Sequence, residues 1–455
     1  MRALHRICPT TGLKIDRQAE LLMRANAVAA TVALVIGGIA AILILLTRWQ
    51  AVHLLDVVWF YRILTVHGMS MLIFFILFFE MAILYFTSGP VLNSRIAAPK
   101  LGWLAFGLMV AGAVLTEWMM WTGKADVLYT SYVPLKAHPL YYLGVILFAV
   151  GALIVTGLFF ATLVVAKREK TYEGSMPLIT FGAMTAAIIA VITLLHGAAI
   201  YVPTFLWSLG LMEVDPQIYR LVWWALGHSS QQINVAAMVS VWYLLGALTV
   251  GSVVLNEKLS RTAFVLYILF ISMASAHHLL VDPGMSSAWK VVNTSYFMYM
   301  AVLASMLHGF TVPAGVELGQ RLRGVTKGLF GWIRKAPWGD PGFSSLVFSV
   351  VVFGFAGGML VFSVFMSFAG GFGVPRRHWD ITFSNAPFDL QFNPAVDLVM
   401  GIMALGGLVA AVGGGIYILV TVWSVFFGEP IKEGELPHAH VRTTSGPTES
   451  TAAAV

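Results

Sequence analysis

The chain has 455 residues, 59% of them hydrophobic and only 11% charged, a balance that excludes an ordinary soluble domain. Its net charge of +6 comes from basic residues in loops beside apolar runs, which speaks for orientation in a bilayer and against a nucleic-acid partner. The single cysteine, Cys8, excludes an internal disulfide and any cysteine-held cluster within the chain.

Apolar runs of about twenty residues or more recur along the whole length, so the expectation is an all-α polytopic membrane protein. The N-terminal MRALHRICPTTGLK is basic and lacks a short apolar core with a cleavage site, so no removable signal peptide is expected. Ten spans are predicted, at 24–47, 58–88, 101–122, 139–167, 176–206, 218–250, 261–283, 290–314, 343–370 and 395–427. Loops after even-numbered spans carry Arg95 and Lys100, then Lys167, Arg168 and Lys170, then Lys258 and Arg261, then RLRGVTKGLFGWIRK at 321–335. Loops after odd-numbered spans are poorer in Lys and Arg, with Lys124, Lys136, Arg376 and Arg377 as exceptions. The positive-inside rule then places both termini in the cytoplasm and the chain in the cell's inner (cytoplasmic) membrane. Residues 1–430 form one transmembrane unit, and the polar tail 431–455 reads as disordered.

Within this topology His67 lies about nine residues into span two and His228 about ten into span six. His277 and His278 lie about five before the outer end of span seven. At 1.5 Å per residue all four sit roughly 8–15 Å below the outer surface. Ionisable residues in spans are costly and mark function by default, so histidines from three spans in one layer point to a site. Neutral imidazole suits copper, iron and zinc. Adjacent histidines diverge by about 100° on an α-helix, so His277 and His278 can both ligate only where the helix loosens. Asp282-Pro283-Gly284 supplies such an end. The bland alternative is that each histidine only hydrogen-bonds a facing helix.

WWALGH at 223–228 followed by HHLLVDPG at 277–284 resembles subunit I of the heme-copper oxidase superfamily, in its B-type branch. VLYTSYVPLKAHPLYYLG (127–144), DPQIYRLVWWALGH (215–228), RLRGVTKGLFGWIRKAPWGDP (321–341) and GVPRRHWD (373–380) extend the resemblance over most of the chain. It implies that His228, His277 and His278 bind the non-heme metal, copper in oxidases and iron as the alternative. It also implies that His67 is an axial ligand of a low-spin heme beside a high-spin heme, and that Arg376 and Arg377 pair with heme propionates.

Two features depart from that pattern. B-type oxidases carry a tyrosine four residues after the first metal histidine, and here that position is Gln232. Glutamine forms no tyrosyl radical but hydrogen-bonds, or offers a weak oxygen ligand. This variant is similar to oxidase-like nitric oxide reductases. Tyr267, the only tyrosine of span seven, is ten residues before His277, about 15 Å along the axis, too far to substitute. The family's span with a His-x-His pair of heme ligands is also not found; His438-Ala439-His440 belongs to the tail. FAGG recurs at 355–358 and 368–371, where an internal deletion could join.

Ser305, His308 and Thr311 recur at i, i+3 and i+6 on span eight, and Tyr243 lies about 22 Å inward of His228. Matching positions form the family's proton-input channel; otherwise they are small polar residues easing helix packing. His196 lies near the outer third and could face the site, whereas Glu117 has no assignment. Trp118, Trp121, Trp207, Trp223 and Trp224 read mainly as an interface belt. The family implies a subunit II-type partner with a copper centre and electrons from cytochrome c or a similar carrier. The expected function is reduction of O2 to water. The alternatives are reduction of NO to N2O, or a degenerate subunit without hemes.

Overall fold

The computed structural model describes residues 5–8, 13–324, 329–338, 342–343, 355–375, 377–381, 387 and 393–428. Arg376 and the tail 431–455 lie outside these, so the expectations placed on them are not addressed. Apart from a two-strand antiparallel hairpin, His5–Ile7 with Lys14–Asp16, the elements among the described residues are helices.

Among the described residues, a helical pass overlaps each of the ten predicted spans, although 344–354 of the ninth span lie outside them. The first is Arg17–Arg48. The second runs Val57–Met69, a wider π-turn Ser70–Phe75, then Ile76–Ser88. The third to sixth are Pro99–Trp121, Pro139–Arg168, Leu178–Ser208 and Pro216–Val250. The seventh begins at Glu257–Leu266 and the eighth combines Ser287–Val292, Asn293–Phe297 and Met298–Leu322. The ninth and tenth are Phe355–Gly371 and Ala395–Phe427. Among the described residues, eight of the ten are long and apolar enough to cross a bilayer whole.

Local chemistry sets the ends. Asp16, Asp56, Asp215, Asn256 and Ser286 each accept a hydrogen bond from a free N–H of the first helical turn. Proline opens the third, fourth and sixth passes, where its missing N–H costs nothing. Gly251, at φ +60°, ends the sixth. Where lipid surrounds the bundle, close packing must supply the attraction between helices. The third and fourth passes accordingly meet backbone to backbone: a methyl group on Gly112 would strike the Gly144 carbonyl.

One apolar core runs through the first eight passes, from Ala19 to Val312. The ninth and tenth pack on each other, and the tenth on the first. Loops joining like ends touch. Arg95 pairs with Glu169 at 2.8 Å at one end. At the other, Arg48 donates to the Pro375 carbonyl at 2.8 Å and Trp379 to the Leu55 carbonyl at 2.8 Å.

The seventh pass departs from a plain span. After Leu266 it widens into a π-turn, Tyr267–Ile271, then tightens into a 3₁₀ segment, Ala274–Leu279. Such windings in a helix mark functional places, and this one carries His277 and His278.

Candidate metal centre

His228 projects from the sixth pass, and His277 and His278 from the 3₁₀ segment. Their ring nitrogens can be chosen so that all lie within 4.8 Å of one another. His228 Nδ1 and His278 Nε2 are 3.3 Å apart. Adjacency does not keep the pair apart in this 3₁₀ segment: the His277 and His278 rings are only 37° apart in plane, with centroids at 3.9 Å. His277 Nδ1 donates to the Ala274 carbonyl at 2.5 Å, which fixes its tautomer and leaves Nε2 for a ligand. Trp224, one turn before His228, stacks on His278 at 3.7 Å and 6°. A trio of imidazole nitrogen donors, one buried and two half-buried, oriented by a carbonyl and an indole, fits a copper-type cation.

A polar clamp holds the two passes together just outside this trio. Arg220 donates to both carboxylate oxygens of Asp282 at 2.6 and 2.8 Å, and its guanidinium lies 4.5 Å over Tyr132. Gln217 donates to the Pro283 carbonyl at 3.0 Å, and Lys290 to the Asp282 carbonyl at 2.9 Å. Gly284, at φ +85°, makes the turn possible. Gln232 stands one helical turn inward of His228 on the sixth pass and is half-buried.

His67 sits at the end of the first helical stretch of the second pass, and its Nδ1 donates to the Gly37 carbonyl at 2.9 Å, leaving Nε2 for an axial bond. Tyr129 packs against Gly68, the next residue. The Arg377 guanidinium lies 4.9 Å over the Tyr129 ring, so Arg377 reaches the neighbourhood of His67. Tyr129 also meets Trp223 edge-on at 5.2 Å. The donors for heme are therefore incomplete. His67 fits one axial position of a low-spin heme. No pass carries the His-x-His pair that would supply the other and hold a high-spin heme.

His196 is not part of the trio; its Nδ1 donates back to the Ile192 carbonyl at 2.8 Å. Glu117 accepts from Ser70 Oγ at 2.6 Å and Trp121 Nε1 at 3.0 Å, which ties the third pass to the π-turn below His67. The tryptophans divide. Trp118 and Trp121 are exposed as a belt requires, but Trp223 and Trp224 are buried, because Tyr129 and His278 cover them. The belt reading fails for this pair.

Farther along the sixth pass from His228 the structure gathers Tyr243, His308 and Thr311. The Tyr243 hydroxyl lies 3.1 Å from His308 Nδ1 and 2.9 Å from Thr311 Oγ1, and donates to Ser260 Oγ at 2.8 Å. Ser305, one turn outward of His308, bonds the Tyr267 hydroxyl at 2.9 Å. Sequence alone does not bring Ser260 or Tyr267 into this cluster. Ser260 stands in the first turn of its helix, where serine is unremarkable. Tyr267 is conspicuous in sequence only for its distance from the metal.

Residues 22–358 match the family described as cytochrome c and quinol oxidase polypeptide I. Cytochrome c oxidase subunit 1 of Thermus thermophilus is 32% identical over 310 residues. That alignment takes in 66% of this chain and 54% of the relative, so the chain matches about half the relative's length. The fold also matches a heme-copper terminal oxidase dimer solved by electron cryo-microscopy, with a TM-score of 0.80 over 95% of this chain and 88% of that one, at 22% identity.

Proposed function

We propose, from the premise that the chain belongs to the cytochrome c and quinol oxidase polypeptide I family of heme-copper oxidase subunits, that it is the catalytic subunit of a terminal respiratory reductase. Its acceptor is O2, and its electrons come from cytochrome c or a similar carrier through a partner subunit with a copper centre. It sits in the inner membrane with both termini in the cytoplasm, as the basic loops after even-numbered passes favour.

The observation that carries this reading is the clustered trio His228, His277 and His278, the first of them buried. Bound there, copper supplies a one-electron redox site for a diatomic molecule. The chain's own residues hold it. Three neutral imidazoles donate, Ala274 fixes one of them, and the Arg220–Asp282 clamp keeps the 3₁₀ segment against the sixth pass. Tyr243, Ser305, His308 and Thr311 bring protons from the inner side. His67 offers one axial nitrogen to a low-spin heme, with Arg376 and Arg377 for its propionates.

Gln232 supports a second reading, reduction of NO to N2O. Cleaving the O–O bond draws on a tyrosine that the family keeps one turn below the first metal histidine, and glutamine supplies neither its electron nor its proton. Joining two NO molecules asks for no such donor. Metal and heme content of the purified chain, with its optical spectrum, tests both readings. The expected result is one copper per chain, lost in His228→Ala. A chain that binds neither copper nor heme sinks the catalytic reading in favour of a degenerate subunit. With cofactors present, the ratio of O2 to NO turnover decides the acceptor.

A further inference from the structure

The inner polar cluster does not point where the family's proton line would end. The sixth pass has no further tyrosine between Tyr243 and the metal histidine, because position 232 is glutamine. The buried polar groups turn onto the seventh pass instead. Tyr243 joins the sixth, seventh and eighth passes through Ser260, His308 and Thr311. The His308 ring, 0% exposed, lies against the Tyr267 ring, centroids 5.7 Å apart and 24° between planes. Its Nδ1 faces Tyr243, while its Nε2 is buried without a protein partner among the described residues. A buried nitrogen in that state is satisfied by a water where space and a second polar group allow it. Tyr267, also 0% exposed, bonds Ser305 at 2.9 Å. Five residues on, and five before His277, Ser272 keeps its Oγ buried, again without a protein partner among the described residues. The π-turn Tyr267–Ile271 links the two.

We propose that protons cross from Tyr243 through His308 to Tyr267 and then follow the seventh pass through Ser272 to the three-histidine centre, rather than climbing the sixth pass to Gln232. This rests on the copper reading of the centre. Each hydroxyl accepts a proton on one side as it releases its own on the other. His308 takes a proton at Nδ1 and gives one up at Nε2 to a water that hands it to Tyr267. One passage moves one proton and leaves every residue neutral. Tyr267 and Ser272 are thus relay residues that do not touch the metal.

The test uses the copper-loaded full chain. Reducing a buried cation leaves a charge deficit that an incoming proton offsets. Copper is therefore reduced rapidly while a pH dye follows proton uptake. Tyr267→Phe is expected to slow uptake at least about ten-fold and Ser272→Ala several-fold, with copper content and the copper spectrum unchanged. Tyr296→Phe, an exposed tyrosine of the eighth pass, keeps the wild-type rate. Should Tyr267→Phe fail to fold, Ser272→Ala alone decides. Uptake at the wild-type rate in these variants, or none in wild type, overturns the relay. A wild-type chain that binds no copper overturns the metal centre, and the relay with it.

Discussion

At the scale of single residues, His228 and Gln232 carry opposite kinds of information. His228 says what the site holds and Gln232 says what the site lacks. Gln232→Tyr returns a phenol to the helix face one turn inward of His228. It is expected to raise the ratio of O2 to NO turnover by about an order of magnitude, since the phenol's advantage falls on one acceptor only. An unchanged ratio removes the weight placed on Gln232. The metal histidines are legible in the sequence because an ionisable side chain in a span is expensive and so stands out. The neighbours that orient them are not. Trp224 looks in sequence like any aromatic residue near the outer face, yet it is buried by stacking on His278. The Ala274 carbonyl that fixes His277 belongs to the backbone, where residue type is silent.

Helices are the easiest part to read, because about twenty apolar residues can do little else in lipid. Among the described residues each pass overlaps a span that hydropathy places. What hydropathy misses is winding. Past Arg261 the seventh pass is mainly apolar and reads as one helix, but it changes to π and then 3₁₀ as it approaches the three histidines. Only the awkward adjacency of His277 and His278 hints at this. The Arg220–Asp282 clamp is what ties the end of that 3₁₀ segment down, with two short hydrogen bonds. Arg220→Ala leaves the three ligands in place but frees their support. Copper affinity is expected to fall about 10–100-fold, the usual cost of losing an outer-shell partner, measured by competition with a copper chelator. Wild-type affinity in this variant means that the 3₁₀ segment holds itself. A contrasting change is Gly144→Leu, which puts a side chain where the fourth pass meets the Gly112 carbonyl of the third. Overpacking there is expected to destabilise the bundle by about 1–3 kcal/mol or more. Reduced thermal stability in detergent, with copper affinity per folded chain unchanged, identifies that effect.

For the whole molecule, the passes among the described residues make one bundle that gathers three clustered imidazoles but offers a single axial nitrogen, His67, for the proposed heme. The copper-type trio lies between the sixth and seventh passes, held by the first eight. A bis-histidine low-spin heme needs two axial imidazoles, and the second pass brings one, His67. The six histidines inside the passes are His67, His196, His228, His277, His278 and His308. Three of these make the candidate metal trio, His308 bonds Tyr243, and His196 bonds its own helix. None is left to hold a second heme from within the chain. The expected outcome is therefore copper binding at full occupancy with at most one heme per chain, and that heme lacking the spectrum of a bis-histidine low-spin centre. Pyridine hemochrome and copper assays on one preparation check this directly. His67→Ala should remove that heme and spare the copper, because the two sites share no ligand. Two hemes per purified chain, with a bis-histidine signature, would show that axial nitrogens come from a partner subunit. The complex would then have to be isolated whole before its turnover with O2 or NO could be assigned to this chain.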